Sequence, residues 1–100
     1  MVIINSMGRE AFHELLPGNA IADIAVGEEV EWFGNRGQTI LGTVGVRKNK
    51  GWSFAIMATD RAGNFRVRER QGDFPTRPTA RHALLRQMAG EGAEAERLAA

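Results

Sequence analysis

The amino-acid sequence predicts an α+β fold, a four-stranded antiparallel β-meander packed by a C-terminal α-helix. Three observations carry this. Between residues 28 and 70 apolar side chains recur with period two in four short runs, the spacing of a half-buried strand. Brief turns rich in Gly, Asn and Asp separate the runs, and connections this short make successive strands antiparallel neighbours. After residue 76 the apolar spacing lengthens to i, i+3, i+4, the period of a helix.

Residues 7–16 place Phe12, Leu15 and Leu16 on one helical face, ahead of a stop at Pro17-Gly18-Asn19. A helix this short is marginal alone and must dock to persist. The apolar stretch 20–26 reads equally as a strand or a docking segment. From Glu28, Val30 and Trp32 alternate with Glu29, Glu31 and Phe33 in a first strand, which Asn35-Arg36-Gly37 turns. Residues 39–47 are β-branched, with Ile40, Val44 and Val46 on one face, and Lys48-Asn49-Lys50-Gly51 reverses the chain. Trp52, Phe54 and Ile56 alternate with Ser53, Ala55 and Met57 in a third strand. Asp60-Arg61-Ala62-Gly63 is a turn with Asp opening it and Gly where a positive φ is needed. Phe65 and Val67 then alternate with Arg66, Arg68 and Arg70 in a fourth strand.

Thr76 is a candidate N-cap with Pro78 in the first turn of the terminal helix. Ala80, Ala83, Leu84 and Met88 form its apolar stripe, and Gly90 is the expected stop. The helix is expected to cover a sheet face bearing Trp32, Val44, Trp52, Phe54, Ile56 and Phe65. Residues 1–27 thus read as an acidic segment with a short helix, 28–89 as the domain, and 90–100 as a flexible tail. An SH3-like small barrel plus helix is the alternative architecture.

One hundred residues, 43% hydrophobic and 25% charged, are ordinary for one globular domain, so general disorder is excluded. The chain has no cysteine, which removes disulfides and thiolate metal sites. No apolar run approaches the ~18–20 residues of a membrane span. The opening Met1-Val2-Ile3-Ile4-Asn5 is too short for a signal-peptide core and lacks a basic leader. A cytoplasmic location is expected.

The formal net charge of +1 conceals segregation. Residues 1–31 carry one base against six acids, residues 32–88 eleven bases against three acids, and the remainder one base against three acids. A block with eight excess positive charges attracts polyanions at long range. The competing account is that the acidic N-terminal segment folds over the basic block.

Alternate residues of a strand share a face, so Arg66, Arg68 and Arg70 are expected to form one row at ~6.6 Å spacing. Ser53, Ala55, Met57, Thr59, Thr43, Gly45 and Arg47 should share that wet face. Small side chains edged with arginine suit a phosphate backbone or a groove. Alternating arginines also protect an edge strand from aggregation, and Glu29 and Glu31 would pair with them were the sheet closed. Arg77 and Arg81 sit where the helix dipole favours negative charge, which an anion held with Thr76 and the free amides would explain. Lys48 and Lys50 add basic reach beside Arg47. Trp32 and Trp52 suit base stacking, although their position on the apolar face favours core packing. His13 and His82 are far apart in sequence, and no acid–base pair, nucleophile system, phosphate loop or metal-ligand spacing is present.

Three resemblances follow. Residues 45–80 resemble the ethylene-response-factor type of DNA-binding domain and the arm-binding domains of tyrosine recombinases. Gly45-Val46-Arg47, Trp52 with Ile56, and Gly72-x-Phe74-x-Thr76-x-x-x-Ala80 carry it. It implies strands in the major groove, a helix behind them, and Arg47 with Arg66, Arg68 and Arg70 as contacts. Residues 24–46 are similar to the opening of SH3-like or Tudor-like barrels, which implies an interaction module. Glu31-Trp32-Phe33, Leu41-Gly42-x-Val44, Trp52, Asp60, Gly63-x-Phe65-Arg66 and the terminal helix look like a group of small proteobacterial proteins, which implies no function.

The expectation is therefore a non-catalytic binding module without cofactor or metal. Its leading partner is DNA or RNA, met by Arg47, Lys48, Lys50, Arg66, Arg68, Arg70, Arg77 and Arg81. A protein partner or a homodimer is the alternative.

Overall fold

The two most apolar runs of the chain become the centre of a sheet. In the computed structural model, which describes residues 2–16 and 27–99 (side chains through Glu91), β3 (Ile40–Arg47) and β4 (Gly51–Thr59) are flanked by β2 (Glu28–Asn35) and β5 (Phe65–Phe74). A short edge strand, β1 (Ile4–Ser6), pairs with β2. The order is β1-β2-β3-β4-β5, every pair antiparallel. The class is α+β and the meander is as expected, with five strands rather than four and an open sheet rather than a closed barrel. The three residues of β1 are too few to show alternation; the ladder to Phe33–Asn35 makes them a strand.

Helix α1 (Arg9–Glu14) and helix α2 (Arg77–Ala99) lie on opposite faces of this sheet. On one side Phe12 and Leu16 of the N-terminal segment pack with Leu41, Ala55, Met57 and Phe65, flanked by Trp32 and Val67. On the other, Ala80, Leu84 and Met88 of α2 pack with Phe33, Ile40, Val44, Phe54, Ile56 and Ala58. Residues 40–45 and 53–58 are accordingly buried throughout. This corrects the expectation of one dry face and one wet face. The signal was present: Phe54-Ala55-Ile56-Met57-Ala58 is an unbroken apolar run, the pattern of a strand covered on both sides.

The faces predicted for β3 and β4 hold, while those for β2 and β5 do not. A register shift between Glu29 and Glu31 opposes Trp32 to Thr43, so Trp32 joins the α1 side and Glu31 and Phe33 the α2 side. In β5, Phe65 opposes Thr59 and Val67 opposes Met57, also on the α1 side. Because the side-chain period is two, a single bulge exchanges the faces of everything beyond it.

Thr76 caps α2, its Oγ1 accepting from the Thr79 amide at 3.3 Å. The helix does not stop at Gly90 but runs through Gly90 and Gly92 to Ala99; each helical glycine costs only ~1 kcal/mol against alanine. It packs directly over Gly42, where a Cβ would lie 2.5 Å from Met88 Sδ and 2.8 Å from Leu84 Cδ1. Only a residue without a side chain lets α2 sit this low. The expected stop at Pro17-Gly18-Asn19 and the apolar stretch 20–26 lie outside the described residues.

Candidate polyanion-binding site

The bulge that reassigns Phe65 also divides the arginines of β5. Arg66 opposes Ala58 and so shares the α2 side, whereas Arg70 opposes Ala55 on the α1 side. Between them the register slips one residue opposite Ile56/Met57, leaving Arg68 at the bulge and exposed. The expected row of three is therefore absent. Its geometry assumed an uninterrupted strand, and a second irregularity opposite Trp52/Phe54, with Asp73 at φ 65°, bends the same strand again.

Arg66 is committed locally. Its Nε donates to Asp60 Oδ2 at 3.2 Å, and Asp60 Oδ1 accepts from the amides of Ala62 and Asn64 at 2.9 and 3.0 Å. The Asn64 amide, then the Arg66 side chain, then the Ala62 amide hold the Asp60 carboxyl below its ordinary value.

Arg77 and Arg81 have an anion, and it belongs to the protein. Arg77 Nε donates to Glu31 Oε2 at 2.8 Å and Arg81 Nη1 to Glu31 Oε1 at 3.1 Å. The Glu31 side chain is only 16% exposed. Burial pushes its pKa up, but the hydrogen bonds and charges of Arg77 and Arg81 outweigh this and leave it below the ordinary value. Bases in the first turns of a helix thus acquire a purpose: they hold a carboxylate on β2 and tie the start of α2 to the sheet. Pairing of Glu31 with β5 required a closed sheet; in the open meander two strands separate them, and Glu31 meets the helix instead.

Arg47, Lys50 and Arg70 do come together. They line a concavity of 530 Å³ at the end of the sheet, with Asn49, Ser53, Gln71, Gly72 and Asp73. Arg47 ends β3 and opposes Gly51, and Lys50 is in the turn between them. That turn closes through the Lys50 amide donating to the Arg47 carbonyl at 3.1 Å, with Asn49 at the positive φ of 64° that its third position requires. Arg70 arrives from β5, on the same side as Ser53 and Arg47. Arg47 and Arg70 each make a further contact within the chain, so they reach the concavity already held. Lys48 is exposed in the same turn, outside the concavity. Three cationic side chains, one carboxylate (Asp73), and amide and hydroxyl groups line it, a donor-rich set able to hydrogen-bond an anion's oxygens.

One polar cluster had no signal in sequence. Glu29 Oε2 accepts from Trp32 Nε1 at 2.9 Å and lies 2.8 Å from His13 Nε2, tying α1 to β2. The bulge at Val30 brings Glu29 to the side of Trp32, and no spacing rule anticipates it. His82 is exposed on α2, across the sheet from His13. Among the described residues no three His, Asp or Glu side chains converge as metal ligands, and no helix is long and apolar enough to cross a membrane. Comparison of the chain with protein-family models, with characterised proteins and with solved structures yields no match.

Proposed function

We propose that the protein is a binding module for the phosphate backbone of a nucleic acid, which it takes at the concavity of Arg47, Lys50 and Arg70. One observation supports this reading: of nine basic side chains spread from residue 47 to residue 81, these three converge from two strands and the turn beside them on one concave surface. Lys48 extends the positive rim. Arg66, Arg77 and Arg81 lie outside the concavity, paired with Asp60 and Glu31. A protein partner finds less purchase: among the described residues Ile3 is the one large apolar side chain that is exposed.

Three phosphate contacts imply a log–log salt slope of about −2 for a single strand and about −3 for a duplex. Affinity should then drop roughly 20- to 40-fold between 50 and 200 mM salt. Fluorescence anisotropy with labelled oligonucleotides at those two concentrations measures it. Combined alanine substitution of Arg47, Lys50 and Arg70 should abolish binding with the circular dichroism spectrum unchanged, whereas Arg66→Ala should bind as the parent does. Equal loss from Arg66→Ala, or binding untouched by the triple substitution, would refute the assignment.

A further inference from the structure

Phosphate contacts alone leave open whether the polyanion is paired or single-stranded. The end of the sheet that carries the concavity on the α1 side carries Val46, Trp52 and Phe74 on the α2 side. Trp52 opposes Val46 across one ladder and Phe74 across the next. All three are only partly buried, unlike Phe54 behind them. Phe74 is stacked on Phe54, with centroids 5.7 Å apart and planes 28° from parallel.

The two tryptophans differ in how their N–H groups are placed. Trp32 donates to Glu29 and packs against the α1 cluster. Trp52 makes no side-chain hydrogen bond among the described residues, and none of their side-chain nitrogens or oxygens is buried without a partner. The Trp52 Nε1–H therefore keeps some access to water. An amphipathic ring with its body on a core and its polar edge in solvent is a stacking platform as well as a packing residue.

We infer that the ligand is a single strand, with one of its bases stacked on Trp52 while neighbouring phosphates occupy the concavity. This rests on the phosphate-binding reading above and adds the strandedness of the ligand. Trp52 is one residue from Gly51 and two from Lys50, so a strand crossing the β3–β4 turn meets Lys48 and Lys50 on its way from one face to the other. A duplex keeps its bases stacked on each other and offers this ring no free π-face. It is also too stiff to fold around a turn of three residues.

The test is a titration of the Trp32→Phe protein, whose remaining tryptophan reports on position 52 alone. Oligothymidylate is added at 50 mM salt, and a mixed-sequence duplex of equal length in parallel, with anisotropy of the labelled oligonucleotide followed alongside. The expected result is quenching of Trp52 emission that saturates with the single strand at the same concentration as the anisotropy, with the duplex binding more weakly and without quenching. Trp52→Phe should retain binding, and Trp52→Ala should weaken it at least about fivefold. Single-strand binding with unaltered Trp52 emission, or tighter binding of the duplex, overturns the inference and leaves the phosphate site standing. No binding of either probe overturns both.

Discussion

Replacing Glu31 by glutamine tests how α2 is set on the sheet. The substitution keeps the shape of the side chain and one acceptor oxygen but removes the charge that Arg77 and Arg81 share at 2.8 and 3.1 Å. The two arginine side chains are 44% and 41% exposed while the glutamate side chain is 16% exposed, so water screens the contacts in part. A wholly exposed ion pair is worth roughly 0.2–1 kcal/mol, and a hydrogen bond to a charged group about 1.5–3 kcal/mol. With two such contacts, each discounted for exposure, the loss should be about 1–2 kcal/mol. For a domain of this size that lowers Tm by roughly 4–16 °C.

The effect must also depend on pH in one direction. Glu31 is more acidic in the folded protein than its ordinary value of 4.5, so the unfolded chain takes up the proton first as pH falls. The contribution is whole above that ordinary value and is lost as pH drops through the lower folded value. Urea unfolding at pH 7 and at a series of pH values down to 2.5 should show parent and Glu31→Gln separated at neutrality and converging in acid. Equal midpoints at pH 7, or a gap that stays constant through the acid range, would refute the assignment of this carboxylate as the clamp on α2.

Two further substitutions probe the two-sided core. Gly42→Val places methyl groups where Met88 and Leu84 already sit, and overpacking of this kind should cost about 1–3 kcal/mol in urea unfolding; Met88→Ala in the same chain should recover part of it. Phe12→Ala removes the fully buried ring that α1 inserts against Leu41 and Met57, with an expected loss of about 3–5 kcal/mol. It should also raise amide exchange in residues 9–14 before the sheet opens, measured by native-state hydrogen exchange.

Local spacing determined a good deal. Period-two alternation placed β3, β4 and their faces, because both strands run without interruption and their ladder has no slip. The stripe Ala80, Ala83, Leu84, Met88 and the cap at Thr76 located α2, and Phe12 and Leu16 identified what the N-terminal helical segment buries, in α1 and just beyond it. Such features depend on neighbours within a turn or a pleat, so the chain itself specifies them.

The tertiary structure decided the faces of β2 and β5, and with them the fate of most of the basic residues. A bulge is a disagreement between two strands over how many residues span one ladder step, so it belongs to the pair and neither sequence shows it alone. One such slip moved Arg66 away from Arg70, and another put Glu31 under α2 and Glu29 beside Trp32 and His13. Residue types fixed that the block from 32 to 88 is strongly basic. Glu31, within reach only after the sheet forms, then holds Arg77 and Arg81, while the register of β3, β4 and β5 gathers Arg47, Lys50 and Arg70 at the end of the sheet.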